Sequence, residues 1–553
     1  MALAVALSCA SVSAAPPAGP AAPVAAVPDR KTLALRRDIK NIVVIYAENR
    51  AFDDLYGNFP GARNLSEVVD SSGRPLPAYV AQRDRDGSLL EVLPPTWGGV
   101  TAPGFVPVVT QAESGGLANA PFSIERAFTP QSGVMLSAQT VTRDLYHRFF
   151  EHQMQIDGGR NDQYAAWADA GGLTMGHFDT SGSAVFALAR HYVLADNFYQ
   201  GAFGGSFLNH QYLICACAPE YPHADSAGAK PSITILDKDA AGHYLPRLAV
   251  AHDSPRSALD GPPKFVKSGN IAPFDYFGDE TFHAINTMQP AYQPSGNGPA
   301  ADDADHLYAD PSNSTTLPPQ QELTIGDLLD AAHIGWAWYS GAWNLAVADG
   351  ERPAAKLRTA IYAPSTPDGN PDFQPHHQPF NYYLRFDPVA QAGARRAHLK
   401  DYADLIADSA AGRLPPVVFY KPQGNLNQHP GYASIADGDA HIAGLIAKLR
   451  AGPQWDHMVI VLTYDEYGGA WDHVAPPKGD LLGPGARIPA LIVSPFSLRG
   501  AVDHTPYDTG SIARLIIRRF GLGELPGITT RDRALAAQGQ APMGDLTNAL
   551  LFD

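Results

Sequence analysis

Two apolar runs at opposite ends of the 553-residue chain constrain its fold more than any other feature. The run Val459-Ile460-Val461-Leu462-Thr463 is short and rich in β-branched residues, so it reads as a strand buried on both faces. It stops at Asp465-Glu466, and Gly468-Gly469 follows. Buried parallel strands present their functional groups at their carboxyl ends. Adjacent side chains on an extended backbone point opposite ways, so Asp465 and Glu466 can face one site only if the chain turns there. The two glycines permit such a turn. Taken singly, the pair suits a solvated acidic turn equally well. A second strand, Asn41-Ile42-Val43-Val44-Ile45-Tyr46, runs into Glu48-Asn49-Arg50. If both strands share one sheet, carboxylates and an amide converge from the two ends of the chain. Crowded carboxylates repel unless a cation sits among them, and hard divalent cations take such oxygen ligands.

Between these strands the chain alternates strand and helix. Helices are predicted over 137–155 (carrying His147), Ser183–Arg190, Leu323–Ala332, Asp437–Leu449 and Thr509–Phe520. Further strands are expected at His191–Ala195, Gly335–Tyr339, Leu414–Tyr420 and Ile488–Ser494. Such alternation implies a mostly parallel sheet covered by helices. Residues 60–130 and 218–320 are rich in Gly and Pro and lack periodicity, so they read as insertions. The expected organisation is one domain over 39–530, with a tail at 531–553. No repeat is present, and Gly201-Ala202-Phe203-Gly204-Gly205 does not match a nucleotide-binding fingerprint.

The first 15 residues carry a short apolar stretch and a small-residue site at Val12-Ser13-Ala14, the pattern of an export signal without its basic start. An Ala/Pro-rich linker at 16–38 is expected to follow, and the protein to be periplasmic or secreted. No run is long enough for an integral membrane segment. A net charge of −16 argues against nucleic acid as a partner. Cys215 and Cys217 stand one residue apart, where a mutual disulfide is expected to be strained, and three cysteines make no disulfide framework.

Gly204-Gly205-Ser206 precedes a predicted helix. Serine is a favoured N-cap, and a helix start offers free N–H groups to an anion. The pattern therefore allows a helix cap or a hydroxyl placed to attack a phosphate.

Together, Glu48-Asn49-Arg50-Ala51-Phe52-Asp53, Asn427-Gln428-His429-Pro430-Gly431 and Tyr464-Asp465-Glu466-Tyr467-Gly468-Gly469-Ala470-Trp471-Asp472-His473 resemble the bacterial phosphoesterase family. That family unites non-specific phospholipases C with secreted acid phosphatases. Gly158-Gly159-Arg160-Asn161-Asp162 and Gly204-Gly205-Ser206-Phe207-Leu208-Asn209-His210 look like the acid phosphatase branch. The resemblance spans roughly 40–520 and implies an alkaline-phosphatase-like three-layer α/β/α sandwich. It implies one divalent metal ion held by Glu48, Asn49, Ser206, Asp465 and Glu466. Ser206 would be the nucleophile, with His147 and His429 as catalytic partners. Asn49, His376, His377 and His429 would bind substrate. The phospholipases usually carry threonine at the position of Ser206 and often a C-terminal β-rich extension, for which the chain beyond residue 520 is too short. The expected activity is therefore hydrolysis of small phosphate monoesters at acidic pH through a phosphoserine. Phospholipase C action at a phospholipid surface and a non-catalytic, metal-stabilised surface-binding role are the alternatives.

Overall fold

The computed structural model describes residues 28–130, 132–226, 228–353, 358–363 and 370–552. The leader at 1–15, most of the linker and Cys9 lie outside the described residues.

Eight strands form the central sheet: β1 (Asn41–Ala47), β2 (Val193–Ala195), β3 (Trp336–Ser340), β4 (Leu399–Asp401), β5 (Val417–Lys421), β6 (Met458–Tyr464), β7 (Ala490–Val493) and β8 (Ala501–Asp503). Their order is β8-β2-β7-β6-β1-β5-β3-β4. All pairings are parallel except those of β7, which runs antiparallel to both β6 and β2. Every residue of β1 and β6 is buried, so helices or loops cover both faces of the sheet. Helices Ala184–His191, Tyr402–Ala410 and Ile435–Ala451 pack on one another. Helices Arg30–Asp38, Ser206–Cys215, Ile325–Ala331 and Gly510–Phe520 form a second packed group. The fold is a mostly parallel α/β sandwich, as the alternation implied.

The two strands singled out in the sequence are direct neighbours. β1 pairs with β6 with Ala47 opposite Tyr464, and with β5 with Ile45 opposite Tyr420. This register brings Glu48, Lys421 and Asp465 to one edge of the sheet, each just past or at the end of its strand.

Four expectations need correction. Arg30–Asp38 is a helix capped by Asp29, where the linker was expected to continue. Leu35 is buried, and Arg36 donates to the Arg518 carbonyl oxygen, so this segment belongs to the domain. The chain after residue 525 is not a loose tail. Helix Pro526–Ala537 buries Leu535, and Arg531 pairs with Asp508 and Asp480 at 2.7 and 2.9 Å. The predicted helix over 137–155 begins only at Phe149 and ends at Ile156. Residues 142–148 stay extended because Thr142 bridges Thr101 and the Arg143 N–H donates to Val100, pairings that outweigh local helix propensity. Cys215 and Cys217 are disulfide-bonded. Their helix stops at Cys215, and Ala216 takes a left-handed conformation (φ 52°) that turns the chain back. The two Cα atoms then lie 5.1 Å apart, inside the range a disulfide bridges without distortion.

Candidate active site

The site grows from the carboxyl ends of β1, β5 and β6. Past β1, Asn49 adopts a left-handed conformation (φ 54°), and its N–H donates to Asp465 Oδ1 at 2.9 Å. Past β6 the chain turns through Gly468 (φ 64°). A Cβ there would sit 2.2 Å from the Asn49 carbonyl oxygen, so only glycine fits. The turn brings the two adjacent carboxylates to one place. Asp465 Oδ1 also accepts from the Glu466 N–H, and Glu466 Oε2 accepts from the Gly468 N–H at 2.6 Å.

Ser206 is the first residue of its helix; Gly205 is the N-cap. The hydroxyl therefore caps nothing. It lies 3.1 Å from Asn49 Oδ1, 3.2 Å from Glu48 Oε2 and 3.5 Å from Glu466 Oε1. A Cβ on Gly205 would meet the His147 carbonyl oxygen at 2.8 Å, which is why glycine precedes the serine. That close crossing also carries His147 to the Ser206 side of the site.

Asn49 ties the histidines to this group. Its Oδ1 faces Ser206, and its Nδ2 faces His429 Nε2 at 2.9 Å and His147 Nε2 at 3.4 Å. His147 Nδ1 lies 2.6 Å from the Leu145 carbonyl oxygen, and His429 Nδ1 contacts that of Pro430. Both rings are thus set with Nδ1 carrying the proton and Nε2 turned toward Asn49 and the cavity. A cavity of about 320 Å³ opens over Ser206, and His147, His376, His429, Tyr432, Gln374 and Asp144 line it.

The paired histidines part company. His376 lines the cavity. His377, expected to bind substrate, instead reaches Glu48 Oε1 with Nε2 at 2.8 Å. The short turn Pro375–His377 sends consecutive rings different ways.

Two buried residues in the cluster were not singled out as site residues from the sequence. Lys421 ends β5 and contacts Glu48 Oε1. Its signal was a charged residue closing an apolar strand at the same sheet edge. His210 sits one helical turn after Ser206, with Nδ1 2.7 Å from the Ser206 carbonyl oxygen and its ring stacked 5.3 Å from that of His377. The i, i+4 spacing was legible; its direction toward the site was not.

The electrostatics would suit a cation. Glu48, Asp465 and Glu466 are fully buried. Burial opposes the Glu48 charge, yet Lys421 and His377 hold its carboxyl well below the usual range. Burial, followed by the Glu48 charge, pushes Asp465 well above it. Glu466 is likewise raised, by burial first. Asp465 Oδ2 has no hydrogen-bond partner. A cation would satisfy that oxygen and favour the ionised form of both raised carboxyls. Three carboxylates against one ammonium leave a charge of −2, matching one divalent ion. The all-oxygen set of Glu48, Asn49, Ser206, Asp465 and Glu466 suits a hard one. Burial keeps His376 well below the ordinary histidine range, takes His377 down to about 4 and lowers His429.

A second buried acidic cluster, Asp53, Asp472 and His473, has a different character. Arg487 fills it, reaching Asp53 at 3.0 Å and Asp472 at 3.1 Å. Because Asp53 follows β1 and Asp472 follows the Gly468 turn, this ion-pair network braces the two loops that carry the site carboxylates.

Curated proteins similar to parts of this chain include several phospholipases C. Phospholipase C B of Mycobacterium tuberculosis is 30% identical over 173 residues, covering 27% of this chain and 32% of that protein. The non-hemolytic phospholipase C of Pseudomonas aeruginosa is 29% identical over 180 residues, covering 27% and 25%. Non-specific phospholipase C6 of Arabidopsis thaliana is 29% identical over 171 residues, covering 25% and 32%. The chain thus matches about a third of the length of these relatives or less. Among solved structures, a phosphonate monoester hydrolase from Silicibacter pomeroyi aligns with a TM-score of 0.25 at 12% identity, covering 65% of this chain and 72% of the other. The lipoteichoic acid synthase LtaP from Listeria monocytogenes aligns with a TM-score of 0.28 at 8% identity, covering 70% and 71%. The model of the phosphoesterase family matches residues 39–523, nearly the whole described chain, and with the strand-end motifs it runs through, this chain belongs to the phosphoesterase family.

Proposed function

We propose that this protein is a phosphomonoesterase that works through Ser206 and one divalent metal ion. The observation that carries the reading is the Ser206 hydroxyl: it makes no helix cap, lies among three carboxylate and amide oxygens, and opens onto the cavity. Glu48, Asn49, Ser206, Asp465 and Glu466 would hold the metal, which when bound lowers the pKa of a coordinated hydroxyl and stabilises negative charge on phosphoryl oxygens.

The chain's own residues would divide the remaining work. Ser206 Oγ attacks phosphorus in line while the bond from phosphorus to the ester oxygen breaks. The hydroxyl proton has Glu48 Oε2 as its nearest carboxylate acceptor, at 3.2 Å. The helix-start N–H groups at Ser206 would face the phosphoryl oxygens of a bound substrate. His429 and His147 present Nε2 to the same space, so one of them can give a proton to the departing alkoxide and later take one from the attacking water. In the substrate-free site burial lowers the proton affinity of His429. A bound phosphate supplies negative charge that raises its proton affinity, so proton donation follows substrate binding. The cavity of about 320 Å³ accommodates a phosphate and a small leaving group.

Phospholipase C action at the same serine is the second reading, favoured by the curated relatives. A larger groove of about 650 Å³, lined by Phe203, Tyr244, Phe274, Tyr276 and Leu481, lies on the side of the Gly201–Gly205 loop and offers apolar surface to a lipid. Among the described residues no helix is long and apolar enough to cross a membrane. Export to the periplasm or medium is proposed from the leader pattern alone. Parallel turnover on p-nitrophenyl phosphate and p-nitrophenylphosphorylcholine tests the choice. Monoester turnover dominating by at least tenfold supports the phosphatase; the reverse ratio makes it a phospholipase C.

A further inference from the structure

Lys421 is the one ammonium in a cluster otherwise built of carboxylates, amide and imidazoles. Its side chain is 0% exposed. The register of β1 and β5 places it level with Tyr46, so the ammonium reaches past the end of β1 to the first carboxylate beyond. Nζ contacts Glu48 Oε1, donates to the Ala47 carbonyl oxygen at 3.2 Å and lies 5.3 Å from the Tyr46 ring centre. Burying an ammonium is costly unless it is paired, and a methionine would fill this strand end without that cost.

The two oxygens of Glu48 are used differently. Oε1 meets Lys421 and His377 on the side away from the cavity. Oε2 faces Ser206 Oγ at 3.2 Å. Glu48 also belongs with His210 and His377 to a buried carboxylate–imidazole–imidazole group whose donor atoms lie within 4.8 Å of one another. That set could attract a cation of its own, and the Lys421 ammonium already stands against the Glu48 carboxylate at Oε1.

We propose that Lys421 is a positioning residue: with His377 it pins Glu48 by Oε1, so that Oε2 is presented to Ser206 and the metal, and its fixed charge tunes the site to a single divalent ion. The proposal rests on the reading of Glu48 and Ser206 given above. Lys421 touches neither substrate nor reacting atoms; it acts through Glu48.

The test is a double-mutant cycle on the full chain: wild type, Lys421→Met, Glu48→Gln and the double variant. Three quantities are read: the Mn²⁺ dissociation constant of metal-stripped protein by calorimetry, kcat and KM on p-nitrophenyl phosphate at saturating Mn²⁺, and Tm. Lys421→Met should weaken Mn²⁺ binding about tenfold or more and lower kcat similarly, while KM moves by less than about twofold. In the Glu48→Gln background the same change should alter both quantities by less than about twofold, because the residue it acts through is already neutral. Equal losses in both backgrounds, or no loss in either, would overturn the proposal. If Lys421→Met does not fold, the double variant, which removes both buried charges, should fold with a Tm at or above that of Glu48→Gln, where the ammonium is left unpaired. Failure of the double variant to fold would also overturn it. Wild-type Mn²⁺ affinity and kcat in Glu48→Gln alone would sink the reading of the metal site, and this proposal with it. An impaired Glu48→Gln with no coupling would sink only the role of Lys421.

Discussion

Replacing Ser206 with alanine separates a nucleophile from a structural serine more sharply than any other change. The structure bounds its effect on stability. The hydroxyl makes no cap bond, and its three contacts are 3.1 Å or longer. Losing them should cost about 1 kcal/mol or less, partly offset by the helix preference of alanine. Two of those contacts are carboxylates that keep other partners: Glu48 has Lys421 and His377, and Glu466 has the Gly468 N–H. The fold and most of the metal site should therefore persist. Turnover should not. No other serine, threonine or described cysteine lines the cavity beside the carboxylates except Thr287, which faces it from the insertion. Loss of the attacking oxygen should lower kcat by about a thousandfold or more, roughly 4 kcal/mol of transition-state stabilisation. The assay pairs steady-state turnover of p-nitrophenyl phosphate with Tm and with acid-quench trapping of labelled phosphoenzyme. Wild type should yield label on Ser206, and Ser206→Ala none. Near-normal turnover in the variant with unchanged Tm would refute the covalent role. So would a vanadate complex in which vanadium bonds only to water and Ser206 Oγ stands remote.

Three further outcomes follow from the same geometry. Asp465→Asn keeps an acceptor for the Asn49 and Glu466 N–H groups but removes the charge behind the unpaired Oδ2, so metal affinity and activity should fall together by about tenfold or more; calorimetry showing unchanged affinity would refute the ligand assignment. Burial places His429 and His376 below the ordinary histidine range, so kcat/KM should rise as pH falls below about 6.5, and a profile still climbing beyond pH 8 would count against protonated histidine donors. His441 Nε2 lies 2.6 Å from the Tyr420 hydroxyl, and burial takes His441 down to about 4. Below about pH 6.5 the unfolded chain binds a proton that the native state refuses, so stability should decline from there to pH 4 by on the order of 3 kcal/mol. His441→Gln should flatten that decline in a Tm-against-pH series.

Much of this protein was legible in the order of its residues. The buried runs Asn41–Ala47 and Met458–Tyr464 announced themselves by unbroken β-branched composition, because a strand covered on both faces has no polar side to show. That each ended in carboxylates located the site, since the carboxyl edge of such a sheet is where loops gather. The glycines after Glu466 marked a tight turn and those before Ser206 a helix start; that both also sit at close backbone crossings, where a Cβ would clash, was decided by the fold. Whatever depended on a partner far along the chain was decided only by the fold. His147 sits in an extended segment because Thr101 and Val100 pair with it from an insertion, against a local pattern that favoured helix. His376 and His377 are chemically identical in sequence, and only the turn at Pro375 sends one to the cavity and the other to Glu48. Lys421 was visible as a strand-end charge, but its burial against Glu48 comes from the alignment of β5 beside β1, across more than 370 residues of chain. Residue type and period are local properties of a sequence. Burial, pairing and the sign of a pKa shift are set by neighbours that only tertiary packing supplies.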